Sequence, residues 1–112
     1  MVKPAARSYS RYSLDAVKLL GQSIRLARIE RKLTIEELAE RAGLSRGLVQ
    51  RIERGDMGCA VGAVFEAAAI VGVRLFDAEQ STISANLISN EHILTLLPQS
   101  VRNPPKAVKD DF

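Results

Sequence analysis

Apolar residues in this chain recur mostly at three- and four-residue steps, the period of a helix with one buried face. From about Asp15, Val17, Leu20, Ile24 and Ala27 keep that spacing, while Arg25, Arg28, Arg31 and Lys32 stand on other faces. Thr34 then opens a second helix. With Glu37 three positions on it makes a capping-box pattern, flanked by Leu33 and Leu38 where a hydrophobic staple would sit. Ile35, Leu38, Ala39 and Ala42 form the apolar stripe of this helix, Gly43 supplies a left-handed stop, and Ser45 caps a third helix. Residues 60–71 predict a fourth helix that is apolar almost all round, with Glu66 its only charge and Gly72 its stop. Such a helix belongs in the core or against another subunit. Residues 73–76 alternate and predict a brief strand. Residues 79–97 predict a last helix with Ile83, Leu87, Leu94 and Leu97 on one face. The first residues, 1–13, are basic and aperiodic, which predicts a flexible arm, and the three prolines from Pro98 onward predict a disordered tail.

Residues 34–55 carry the most information. Stepping the third helix by about 100° per residue puts Arg46, Gly47, Gln50, Arg51 and Arg54 on one side and Leu48, Val49 and Ile52 on the other. Arginine can grip guanine O6 and N7 with two hydrogen bonds, and glutamine can do the same for adenine. A glycine on that face lets the helix backbone approach a groove wall. Taken alone, the polar face would read as ordinary solvated surface. A short capped helix and a glycine turn precede it, however, and that is the helix-turn-helix arrangement.

Charge distribution supports an anionic partner. Residues 1–32 hold eight Lys/Arg against two acids, whereas the whole chain carries only +3, so positive charge is concentrated at one end. Aromatic residues make up 4% of the chain and Trp is absent, which leaves little for base stacking. The single Cys59 allows no internal disulfide and fits a reducing compartment; it reads as a small residue at a helix start. His92 stands far from it and reads as a surface residue, so no metal-ligand spacing exists and no metal or cofactor is expected. No catalytic constellation is visible, and an enzyme is not expected. The chain lacks a long apolar run and the plan of a signal peptide, so the expected address is the cytoplasm, with no membrane partner.

The run through Leu38-Ala39, Ala42-Gly43-Leu44-Ser45, Val49, Ile52-Glu53 and Gly55 resembles the phage-repressor-like (Xre-type) helix-turn-helix family over residues 19–76. The resemblance implies an all-α, lambda-repressor-like bundle of about five short helices that works as a homodimer on a double-stranded DNA operator. It implies base contacts from Arg46, Gly47 and Arg51, and phosphate or flanking contacts from Thr34, Ser45, Gln50 and Arg54. It also implies a structural ion pair between Arg28 and Glu53, which removes Arg28 from the DNA-contacting set. Where the family often has a glutamine after the cap of the second helix, this chain has Ile35. That shifts the phosphate grip toward Thr34, the helix N-terminus and nearby basic residues. Lys3, Arg7 and Arg11 of the arm could track phosphates or enter a minor groove, or stand idle.

Residues 55–112 are similar to the antitoxin partners of HipA-type serine/threonine kinases, through the run from Gly55 to Cys59, the stretch VGAVFEAAAIVGVRLFDAE, then LLPQSVRNPPK and a terminal acidic-acidic-Phe. This implies an autorepressor with a kinase toxin as partner, and a strand near residues 73–77 pairing across a dimer. The expected organisation is an arm (1–14), a DNA-binding domain (15–77), and a C-terminal helix with a tail (78–112). A stand-alone phage-type or restriction–modification-type regulator remains open. So does a protein-binding adaptor without DNA affinity, for which Ile35 is the one favouring feature.

Overall fold

The first helix begins at Ser10 rather than near Asp15, one turn earlier than the apolar spacing predicts. In this computed structural model, which describes residues 8–101, the Ser10 hydroxyl accepts a hydrogen bond from the Ser13 N–H and caps α1 (Arg11–Glu30). Arg11 is therefore the first residue of a helix and not part of an arm. It lies 3.9 Å from Asp15 in an exposed i,i+4 pair. The added turn carries little apolar burial, which is why hydrophobic periodicity does not register it. Lys3 and Arg7, the other arm residues, lie outside the described residues.

The next two helices follow their local signals. The Thr34 hydroxyl accepts from the Glu37 N–H at 3.0 Å, and the Glu37 carboxylate accepts from the Thr34 N–H at 2.8 Å, closing the capping box of α2 (Ile35–Ala42). The Ser45 hydroxyl accepts from the Leu48 N–H at 3.1 Å and caps α3 (Arg46–Glu53). α4 (Val61–Ile70) follows, without a side-chain cap.

All four helices stop in the same way, with a residue of positive φ just past the end and two hydrogen bonds reaching back to the last carbonyls. In α2 these run from Gly43 N–H to Glu40 O and from Leu44 N–H to Ala39 O. Glycine fills the left-handed position after α2, α3 and α4, but Lys32 fills it after α1, at φ 60°.

These elements make one core in the unit Met1–Asp77. α2 packs on both α3 and α4, and α1 crosses α3. Ile24, Leu33, Leu38, Ala39, Val49, Ile52, Ala67, Ala68 and Val71 are buried together. α4 meets the expectation of a core helix on one side only: Ala67 and Ala68 are buried, while Val61, Gly62, Glu66 and Ala69 are exposed. The α1–α3 crossing is close because Gly21 sits in it. A Cβ at Gly21 would collide with the Ile52 carbonyl oxygen and stand 3.0 Å from that of Glu53. Glycine in a helix interior costs about 1 kcal/mol in propensity, and here that cost is offset by backbone-to-backbone approach.

Residues 73–76 do not form a strand, and no strand occurs among the described residues. Leu75–Asp77 is instead a short 3-10 turn in which Phe76 (φ 56°) and Asp77 (φ 50°) are left-handed, a conformation no extended strand contains. The alternation that suggested a strand has a different cause. Val73 and Leu75 pack against the core while Arg74 and Phe76 stay exposed. Phe76 meets Phe65 edge-to-face, with ring centroids 6.1 Å apart.

In the unit Ala78–Phe112 the described part is α5 (Gln80–Thr95) and a short extension. Within α5 only Ile83 is half-buried and every other residue is exposed, including Leu87, Ile88, Ile93 and Leu94.

Candidate nucleic-acid interface

α3 divides its residues cleanly. Val49, Ile52 and Glu53 are buried and Leu48 is half-buried, whereas Arg46, Gly47, Arg51 and Arg54 are exposed and Gln50 is half-buried. Three arginines, a glutamine and a glycine therefore face outward from a helix whose other side is fixed in the core. A Cβ at Gly47 would meet open space, so nothing within the fold requires glycine there.

The inward side is tied down by charge as well as by packing. Arg28 Nε donates to Glu53 Oε2 at 2.7 Å and Nη2 donates to Glu53 Oε1 at 3.1 Å. Its remaining arm, Nη1, donates to the Leu33 carbonyl at 2.8 Å. Both residues are about nine-tenths buried. This bidentate pair joins α1 to α3 and, through Leu33, to the loop that starts α2. Arg28 thus makes its hydrogen bonds within the scaffold.

The outward groups have partners of their own. Arg46 Nη1 lies 3.6 Å from Glu36 Oε1, with both side chains largely exposed; such a pair is weak and easily exchanged for a phosphate or base. Arg51 Nε donates to Asp56 Oδ2 at 3.0 Å. This contact holds the Asp56 carboxyl below the usual carboxylate range, with further help from the Gly58 N–H, and pushes the Arg51 guanidinium up. Asp56 was not among the residues that sequence reasoning picked out. Its only local sign is the turn composition Gly55-Asp56-Met57-Gly58 after a helix stop.

The start of α2 is not an open anion site. Thr34 N–H is occupied by Glu37, and Glu36 and Glu37 both stand in the first turn. The Glu37 carboxyl is held below its ordinary range, first by the Thr34 N–H and then by the Thr34 hydroxyl. Cations gather beside Ile35 instead. A cleft of about 200 Å³ is lined by Arg25, Ile35, Gln50 and Arg54 together with the Arg28–Glu53 pair. A second one of about 470 Å³ is lined by Arg28, Thr34, Ile35, Glu36 and Arg46. Arg25 is a second residue that the sequence reading left unassigned; its place on α1 one step from Arg28 brings it to the same rim.

No group of three or more His, Cys, Asp or Glu able to hold a metal ion occurs among the described residues. None of the described helices is long and apolar enough to cross a membrane. Cys59 is half-buried against the core, and burial pushes its thiol up.

No curated protein matches the chain. Residues 24–75, from the core residue Ile24 on α1 to the turn at Leu75, match the family model described as helix-turn-helix. With its capped helices, glycine turn and outward arginine face, the segment at residues 24–75 is similar to helix-turn-helix domains, which supports its reading as that of a DNA-binding transcriptional regulator.

Proposed function

We propose that this chain is a sequence-specific transcriptional repressor that binds a double-stranded operator as a homodimer. The observation that carries the reading is α3 itself: a helix locked into the scaffold by Val49, Ile52 and the Arg28–Glu53 pair, with Arg46, Gly47, Gln50, Arg51 and Arg54 turned outward. In this reading Arg46 and Arg51 contact base edges in the major groove and the Gly47 backbone approaches the groove wall. Gln50, Arg54 and Ser45 hold flanking phosphates. Arg25 and Arg54, at the cleft beside Ile35, take over the grip that a glutamine commonly supplies at the start of α2. Two copies would place their α3 helices in successive major grooves, about 34–36 Å apart on one face of the duplex. The apolar side chains that α5 leaves exposed are material a second copy could cover.

The partner follows from a different source. The similarity of residues 55–112 to the antitoxins of HipA-type kinases supports an autorepressor that neutralises a serine/threonine kinase toxin by binding it. The turn at Leu75–Asp77, where that similarity implied a strand, favours the other reading, a stand-alone phage-type regulator.

Titration of a duplex selected from a random pool, at several salt concentrations, tests the DNA reading. Specific binding should fall steeply with salt, with a log–log slope near −0.9 per phosphate contact. Binding that ignores sequence would refute it and leave the protein-binding adaptor. Co-purification of a kinase-sized protein from the native host separates the two regulator readings.

A further inference from the structure

Arg51 does not hang free at the end of the recognition helix. Gly55, at φ 78°, reverses the chain directly after α3 and brings Asp56 back alongside the helix's last turn. The Asp56 N–H donates to the Arg51 carbonyl at 3.1 Å. Its Oδ1 accepts from the Gly58 N–H at 2.7 Å, and its Oδ2 accepts from Arg51 Nε at 3.0 Å. The carboxylate is therefore clamped by the turn on one oxygen and clamps Arg51 with the other. Nε is taken, while Nη1 and Nη2 make no hydrogen bond among the described residues. Those two groups are what an arginine needs to meet guanine O6 and N7 end-on.

We propose that Asp56 is a specificity-determining positioning residue, which fixes the Arg51 guanidinium so that its two terminal nitrogens read a guanine in each half-site. The proposal rests on the DNA-binding function argued above. An arginine held in one rotamer before contact loses less conformational freedom on binding than a solvated one. A fixed guanidinium plane also accepts fewer alternative bases. The hydrogen bonds from Arg51 and Gly58 lower the carboxyl from its ordinary range.

Asp56→Asn separates this role from a purely structural one. Asparagine keeps Oδ1 on the Gly58 N–H, so the turn survives, but it sets an amide donor against Arg51 Nε–H. Wild type, Asp56→Asn, Arg51→Ala and the double variant are titrated with a duplex selected by the wild-type chain from a random pool. The same duplex with single G·C pairs exchanged for A·T, and a random duplex, serve as comparisons. Asp56→Asn is expected to weaken binding to the selected duplex by about 3- to 10-fold per half-site and to flatten the preference at one G·C position. Binding to the random duplex should hold or tighten, because a negative charge near phosphates has gone, and the melting temperature should stay nearly constant. In the Arg51→Ala background the Asp56→Asn change should do nothing to base preference. The Arg51 Nε–H resonance of the free protein should be slow to exchange in wild type and fast in Asp56→Asn. Equal or tighter binding of Asp56→Asn to the selected duplex would overturn the proposal, as would an unprotected Nε–H or an effect that persists without Arg51. If wild type fails to discriminate among duplexes although its Nε–H is protected, the DNA-reading function itself fails, and the recognition role of Asp56 with it.

Discussion

Replacing Glu53 with alanine would leave the Arg28 guanidinium buried with a single partner, the Leu33 carbonyl. Three hydrogen bonds of 2.7, 3.1 and 2.8 Å satisfy that group now, and two of them end on Glu53. Stranding one member of a buried pair costs about 3–5 kcal/mol, against a total stability of roughly 5–15 kcal/mol for a domain. At about 4–8 °C per kcal/mol for a domain of 60–100 residues, the melting temperature should fall by on the order of 20 °C. Arg28→Met should cost at least as much, because it leaves both the Glu53 carboxylate and the Leu33 carbonyl without partners. The double variant Arg28→Met/Glu53→Leu should regain most of the loss, since apolar replacements of similar volume remove both charges from the interior. It should remain about 1–3 kcal/mol below wild type for the orphaned Leu33 carbonyl. Urea unfolding of the four proteins, followed by far-UV circular dichroism, gives the cycle directly, and unchanged slopes would show that the unfolded state is not the cause. A Glu53→Ala cost under about 1 kcal/mol, the range of surface pairs, would refute the reasoning. So would losses in the two single variants that simply add up in the double.

Four further outcomes follow from the geometry. Gly21→Ala should destabilise by about 1–3 kcal/mol through overpacking despite the better helix propensity of alanine, because its Cβ meets backbone carbonyls of α3 that cannot move aside; a neutral or higher melting temperature would contradict the close crossing. Gly47→Ala should do the opposite, holding or raising stability by up to about 1 kcal/mol while weakening binding to the selected duplex several-fold, and unchanged affinity would show that the backbone does not approach the groove there. Lys32→Gly should stabilise by up to about 1 kcal/mol, since a left-handed non-glycine residue is strained and only part of the gain is lost to glycine's greater unfolded freedom; a lower melting temperature would refute it. Glu37 is held below its ordinary range by Thr34, so its contribution is complete above the usual glutamate pKa of about 4.3 and disappears as pH falls through the lowered folded-state value; the melting-temperature advantage of wild type over Glu37→Gln should shrink on acidification, and a constant gap would show that the capping carboxylate is not involved.

The helix-turn-helix was legible because its signals are local. Thr34 with Glu37, Gly43, and Ser45 each specify a cap or a stop within a few residues, and each cap forms as its pattern predicts. The Arg28–Glu53 pair was reachable only through family resemblance, since no spacing rule links residues 25 positions apart. Gly21 was invisible for the same reason: in sequence it is a weak spot in a helix, and only the crossing of α3 gives it a purpose. Residues 73–76 misled because a period of two reports alternate burial and not an extended backbone. A turn that tucks Val73 and Leu75 inward writes the same pattern as a strand. The start of α1 was missed because a turn that buries little leaves no periodic trace, and Ser10 lacks the acidic partner that marks Thr34.

The division of labour along α3 bears on how such a regulator could change its target over evolutionary time. Folding depends on Val49, Ile52 and Glu53, whereas Arg46, Gly47, Gln50, Arg51 and Arg54 contribute little or nothing to the core. Five positions can therefore vary with almost no penalty to the fold, and a duplicated copy could drift toward a new operator while staying fully folded throughout. Two of the five have charged partners: Arg46 pairs loosely with Glu36, and Arg51 is held by Asp56. A lineage that replaces Arg51 would leave the Asp56 carboxylate without its side-chain partner, so under the proposed function these two positions should change together.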